Sequence, residues 1–187
     1  MSTKKIIAID LGAESGRVMQ LNFGAKRLML DEIHRFPNHP VQAGRMLYWN
    51  VLSLWREIQY GILKINSADS VGLNSWGVDF ALLDKKGNLL GNPIHYRDQC
   101  SIGMLDWVCE RIPAKELYNR TGNQFIRLNG LYRLAYLAKT KSQILLSAST
   151  FLTIADLFNK WLSGNINCEY THVTTHQIYN RIINNWD

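Results

Sequence analysis

Apolar residues follow two different rhythms along this chain. Up to residue 36 they come in short runs: Ile6-Ile7-Ala8-Ile9, then Val18, Met19, Leu21 and Phe23, then Leu28-Met29-Leu30 within a segment reaching His34-Arg35-Phe36. Runs this short, separated by the LGAESGR stretch and a turn at residues 22–26, predict three strands. Residues 37–49 hold two prolines and a glycine, which predicts a loop. Asn50 is a good N-cap for the next segment. In VLSLWREIQYGILKI, Val51, Leu54, Trp55, Ile58, Ile62 and Ile65 recur at helical spacing with charge opposite. Gly61 is expected to cost that helix about 1 kcal/mol against alanine. Residues 70–76 and 79–84 read as strands on either side of Gly77, closed by a Lys86-Gly87-Asn88 turn. Helical spacing then covers 104–112, 114–120, 131–139 and 154–161. Strands dominate the first half and helices the second, without a repeat, low-complexity tract or linker. The simplest organisation is one α/β domain, a mixed sheet with helices packed on it.

The first two strands carry the most chemistry. Asp10 ends the first apolar run, and the turn after it contains Gly12, Ser15 and Gly16. A hairpin loop of this kind can expose backbone N–H groups, and an acid beside it suits a nucleotide's phosphates and their Mg²⁺. Glycines there let backbone approach phosphate without a Cβ in the way. The element after the turn reads as a strand, and neither GxxxxGK[ST] nor GxGxxG occurs, so P-loop and dinucleotide-binding arrangements are excluded. An ordinary hairpin with a glycine turn is the plain alternative.

Five further blocks carry a resemblance. They are HRFPNHPVQAGRMLYWNVLSLW (34–55), NSWGVDFALLDKKGNLLGNPIHYRD (74–98), YNRTGNQFIRLNGLYRL (118–134), LTIADLFNKWLS (152–163) and EYTHVTTHQIYNRIINNWD (169–187). In this order they resemble rhamnulokinases of the FGGY carbohydrate kinase family, and WGVDFALLD followed by YRD is the distinctive part. The resemblance implies an α/β lobe of the ribonuclease-H-like, actin-like ATPase superfamily, a mixed β-sheet with packed helices. It implies an ATP-dependent kinase of a ketose, L-rhamnulose, with Mg²⁺ as metal cofactor. The family continues well beyond the equivalent of Asp187, so a C-terminal lobe is expected to be absent from this chain.

Carried onto this sequence, the resemblance places the nucleotide loop on Ala13, Glu14, Ser15, Gly16 and Arg17, with Asp10 holding Mg²⁺ directly or through water. Backbone N–H groups, the Ser15 hydroxyl and the Arg17 guanidinium would face the phosphates. Glu14 is an odd neighbour for a phosphate unless it points away or meets the metal. On the sugar side, Gly77 matches the family's sugar-contacting glycine. Trp76 offers an apolar face for sugar C–H groups or is a core aromatic, and Asp79 could accept from a sugar hydroxyl. Arg97 and Asp98 either shape the pocket or form a structural ion pair. No carboxylate in the chain matches the family's general base, so no catalytic residue is named, and the isolated chain is expected to be inactive. The chain departs from the family pattern at YRDQCS, at Asn74-Ser75, and at Ile126-Arg127-Leu128-Asn129-Gly130, where an apolar-Pro-Phe-Asn-Thr run is usual.

Composition narrows the rest. With 187 residues, 47% apolar and 19% charged, the chain can bury a sizeable core. Net charge is +6, yet the Lys and Arg residues are scattered in pairs, which argues against nucleic acid and fits mild attraction of phosphates. No signal peptide or membrane span is read, which leaves the cytoplasm as the default. Cys100, Cys109 and Cys168 lack metal spacing and read as reduced thiols. His172 and His176, four apart, read as surface histidines in preference to metal ligands. Two other functions stay open: a non-catalytic remnant with weak sugar or phosphate binding, and a kinase of another deoxy-ketose such as L-fuculose. A severed lobe interface is expected to expose Leu131, Leu134, Leu137, Ile154, Leu157, Phe158 and Trp161 and to drive self-association.

Overall fold

A computed structural model describes residues 4–24 and 26–186; Ala25, within the expected 22–26 turn, and the terminal Asp187 lie outside the described residues. Along the chain come β1 (Lys4–Leu11), β2 (Ser15–Gly24), β3 (Arg27–Pro37), β4 (Pro40–Ala43), β5 (Met46–Trp49), α1 (Val51–Leu63) and β6 (Ser70–Ser75). They are followed by β7 (Phe80–Leu83), α2 (Met104–Cys109), α3 (Ala114–Thr121), α4 (Gly130–Lys139) and α5 (Gln143–Ser147). The last elements are β8 (Thr150–Thr153), α6 (Ile154–Ser163), α7 (Tyr170–Val173), β9 (Tyr179–Asn180) and β10 (Asn185–Trp186). Short 3₁₀ turns lie at Gln99–Ser101 and Thr174–His176. The chain divides into two compact units, one made of the residues up to Pro40 with Asn50–Trp76, the other of Val41–Trp49 with Gly77 onward.

The first unit is a mixed sheet in the order β3-β2-β1-β6. β1 and β2 pair antiparallel, as do β2 and β3, whereas β6 lies parallel to β1. The alternation in β1 sends Ile7, Ile9 and Leu11 into the core. Helix α1 leads the chain from β5 into β6, giving the crossover that a parallel neighbour of β1 requires. It buries Val51, Leu54 and Ile58, and the Asn50 side chain accepts from the Ser53 N–H at 3.1 Å. The expected cost of Gly61 is reversed by packing. A Cβ at Gly61 would stand 2.6 Å from the Val18 side chain, so glycine is what lets α1 lie close on β2.

In the second unit β7 and β8 pair antiparallel, with Phe80 opposite Thr153 and Leu83 opposite Thr150. All four residues of β7 are buried, which explains their unbroken apolar run. The 86–88 turn forms as expected, with Gly87 at φ +81° and Asp84 Oδ1 accepting from the Lys86 and Asn88 N–H groups. Thr153 caps α6, which buries Ile154, Leu157 and Phe158.

Three expectations need correcting. Residues 37–49 are not a plain loop, because β4 and β5 pair as a small sheet around Gly44 at φ +60°. Proline is tolerated at the start of such an edge strand. The apolar residues of 131–163 are not a bared interface: Leu137, Ile154, Leu157 and Phe158 are core, and Leu131, Leu134 and Trp161 are partly buried. Exposed apolar side chains cluster elsewhere, at Phe23, Leu28, Met29 and Leu30 on β2 and the edge strand β3. Third, His176 is no surface histidine but is fully buried.

Candidate functional site

The hairpin at residues 10–17 lies wholly in the first unit. β1 and β2 stay in register to its mouth, with Asp10 opposite Arg17 and Leu11 opposite Gly16. The turn closes through the Gly12 N–H donating to the Ser15 carbonyl at 2.9 Å. Asn38, 2% exposed, braces it from β3's end: its N–H donates to the Glu14 carbonyl at 2.9 Å and its Nδ2 to the Gly12 carbonyl at 2.8 Å. Nothing local in the sequence marks Asn38, which falls beside Pro37 in the segment expected to be a loop. The Glu14 side chain is exposed, while Ala13 and Ser15 are partly covered.

Cross-strand register brings Asp10 and Arg17 together as an ion pair, Nη2 to Oδ2 2.5 Å, with 38% of each side chain exposed. Gly16 has a packing reason for being glycine: a Cβ there would sit 2.3 Å from the Phe36 ring. Among the described residues no group of three or more His, Cys, Asp or Glu could hold a metal. A single accessible carboxylate such as Asp10 still fits Mg²⁺, which keeps several waters and takes other ligands from substrate phosphates.

The residues read as sugar-binding fall at the junction of β6 and β7. Trp76 is partly buried. Asp79 is fully buried: Trp49 Nε1 donates to its Oδ2 at 2.6 Å, and Oδ1 lies 3.0 Å from Arg133 Nη2. The expected part of Asp79 as an acceptor for a sugar hydroxyl is not what this geometry offers. It is a counter-ion beneath the turn. Val78 between them has φ +68°, a left-handed conformation that a β-branched residue seldom takes. Its N–H donates to Thr175 Oγ1 at 2.8 Å, and its carbonyl accepts from Arg133 Nη2. A Cβ on Gly77 would stand 3.1 Å from the Thr175 side chain.

Arg133 is as buried as Asp79, and burial lowers its pKa while Asp79 pulls it back up. His176 packs edge-on against Phe151, and burial with the nearby Arg133 charge lowers its pKa to about 3. The ring occupies space left by Gly130, where a Cβ would lie 2.2 Å from Nδ1. The departure from the usual Asn-Thr at 129–130 therefore has a packing partner 46 residues away in His176. Asp98 is buried and accepts from the Leu47 N–H at 2.6 Å and the Cys100 N–H at 2.7 Å, whereas Arg97 is exposed over the Tyr96 ring. Burial raises the Cys100 thiol to about 12, which keeps it protonated and unreactive, whereas Cys168 lies at the surface.

Residues 5–187 match the N-terminal domain of the FGGY family of carbohydrate kinases. The chain belongs to that family. It is 41% identical to the rhamnulokinase of Klebsiella pneumoniae (strain 342) and 38% identical to that of Enterobacter sp. (strain 638), over its whole length. It spans 40% of the length of each of these relatives. Among solved structures, gluconate kinase from Lactobacillus acidophilus superposes with a TM-score of 0.84 at 20% identity, over 100% of this chain and 38% of that one. Xylulose kinase from the same organism superposes with a TM-score of 0.84 at 19% identity, over 98% of this chain and 38% of that one. The FGGY chain thus shares the α/β fold of the corresponding part of these sugar kinases, a mixed sheet with packed helices. No helix of the described residues is long and apolar enough to cross a membrane.

Proposed function

We propose that this chain is the N-terminal lobe of an ATP-dependent kinase that phosphorylates L-rhamnulose to L-rhamnulose 1-phosphate. The observation that carries this is the strand–turn–strand hairpin at 10–17 within a chain 41% identical along its whole length to a rhamnulokinase. The backbone of residues 13–16 and the Ser15 hydroxyl are the donors for ATP phosphates, and Arg17 adds charge. Asp10 would hold Mg²⁺, which neutralises charge on the transferring phosphoryl group. Occupation of that site by metal and phosphate would compete with the Asp10–Arg17 pair and release the guanidinium toward phosphate. The Gly77 backbone meets the ketose, while Asp79 acts from below as counter-ion to Arg133.

Catalysis of phosphoryl transfer rests on positioning, charge neutralisation and a carboxylate base. No carboxylate here is assigned that last role, so the 187-residue chain alone should bind without turning over. Amide NMR of the labelled chain tests this: MgATP should move the 12–17 amides, and L-rhamnulose the Gly77 amide more than L-fuculose does. A coupled ADP-release assay should stay at blank. Sugar-dependent turnover, or a Gly77 amide indifferent to both ketoses, would refute the assignment.

A further inference from the structure

We infer that Thr175 and Arg133 are positioning residues that set ketose affinity by clamping the backbone that follows Gly77, with Val78 in its left-handed conformation. The inference rests on Gly77 meeting the sugar, as proposed above. Val78 pays a steric cost at φ +68°, and residues held this way persist only where the surroundings over-determine them. Here they do. Both backbone polar groups of Val78 are taken by side chains far away in sequence, the N–H by Thr175 Oγ1 and the carbonyl by Arg133.

Each clamp is itself anchored. Thr175 Oγ1 accepts from Val78 and donates to the His172 carbonyl at 2.7 Å, so one hydroxyl ties the turn to α7. The 3₁₀ turn carrying Thr175 is pinned on both sides. Asn123 Nδ2 donates to the Thr174 carbonyl at 2.5 Å, and Asn129 Nδ2 and Tyr132 Oη each donate to Gln177 Oε1 at 2.9 Å. Arg133 is oriented by its bond to the Leu128 carbonyl at 2.9 Å and by Asp79, which Trp49 fixes in turn. The Thr175 side chain also limits the space on one side of Gly77. A backbone surface that contacts ligand without side chains has no rotamer with which to adapt, so its affinity depends on how firmly the peptide is held.

Thr175→Val keeps the shape and removes the hydroxyl, while Thr175→Ser keeps the hydroxyl. In the 187-residue chain, L-rhamnulose titrations followed at the Gly77 amide should show about tenfold weaker affinity in T175V, the loss of one well-made hydrogen bond to the turn. T175S should stay within about threefold of wild type. The MgATP response of the 12–17 amides should be unchanged in both. Arg133→Lys, which keeps the buried charge but not the fork, should weaken the sugar response like T175V. A wild type that responds to L-rhamnulose with T175V and R133K responding equally would overturn the clamp. A wild type silent at Gly77 would instead overturn the sugar assignment, and the clamp's purpose with it.

Discussion

Two arginine–carboxylate pairs sit beside the two segments proposed to bind ligand, and they are held in opposite ways. Arg17 and Asp10 meet across adjacent antiparallel strands, seven residues apart, with over a third of each side chain in solvent. Arg133 and Asp79 come from a helix and a strand edge 54 residues apart and have no exposed surface. The first pair is a by-product of register and can separate at small cost. The second leaves one charge stranded in the core if either partner goes, so it locks the peptide above it. If the hairpin binds phosphate as proposed, it gains from a guanidinium that can move to its ligand. If the Gly77 turn meets a sugar with bare backbone as proposed, it gains from one that cannot.

The largest effect should come from breaking the buried pair. Arg133→Met should cost about 3–5 kcal/mol in urea unfolding, because Asp79 keeps a buried charge without its counter-ion. Adding Asp79→Asn to Arg133→Met should restore much of that loss. A single variant that melts like wild type would show that the pair does not hold the turn.

Acid should produce the next largest effect. His176 stays neutral in the folded chain down to about pH 3, whereas the unfolded chain's histidine takes up its proton near 6.5. Between those values the unfolded state binds more protons, so stability is full above pH 6.5 and falls as pH drops, by about 1.4 kcal/mol per pH unit. Urea melts at pH 7 and 5 should therefore differ by about 2 kcal/mol more in wild type than in His176→Asn. Equal differences would mean that the ring is protonated or hydrated in the folded state.

The smallest effect belongs to the exposed pair. Arg17→Gln should change stability by less than about 1 kcal/mol. The same substitution should weaken the MgATP response at residues 12–17, which separates a ligand-directed arginine from a structural one. A stability loss as large as that of Arg133→Met would erase the contrast between the two sites.

The sequence by itself determined whatever depends on near neighbours. Alternation in β1 and β2, the 3.6-residue spacing of α1, α4 and α6, and the glycine turn after Asp10 all act within a few residues, so their elements are legible in the order of side chains. The hairpin's cross-strand meeting of Asp10 with Arg17 follows from that same local register. Tertiary structure alone decided the matters that depend on distant partners. Gly61 is costly to a helix in isolation and favourable under α1 because Val18 lies against it. Asp79 looks like a ligand for hydroxyls until Arg133 and Trp49 enclose it. His176 looks like a surface residue until Gly130 opens a place for its ring. The left-handed Val78 has no local signal at all, because β-branched side chains disfavour that backbone. It is held by a hydroxyl 97 residues away and a guanidinium 55 residues away, contacts that exist only once the second unit has folded around them.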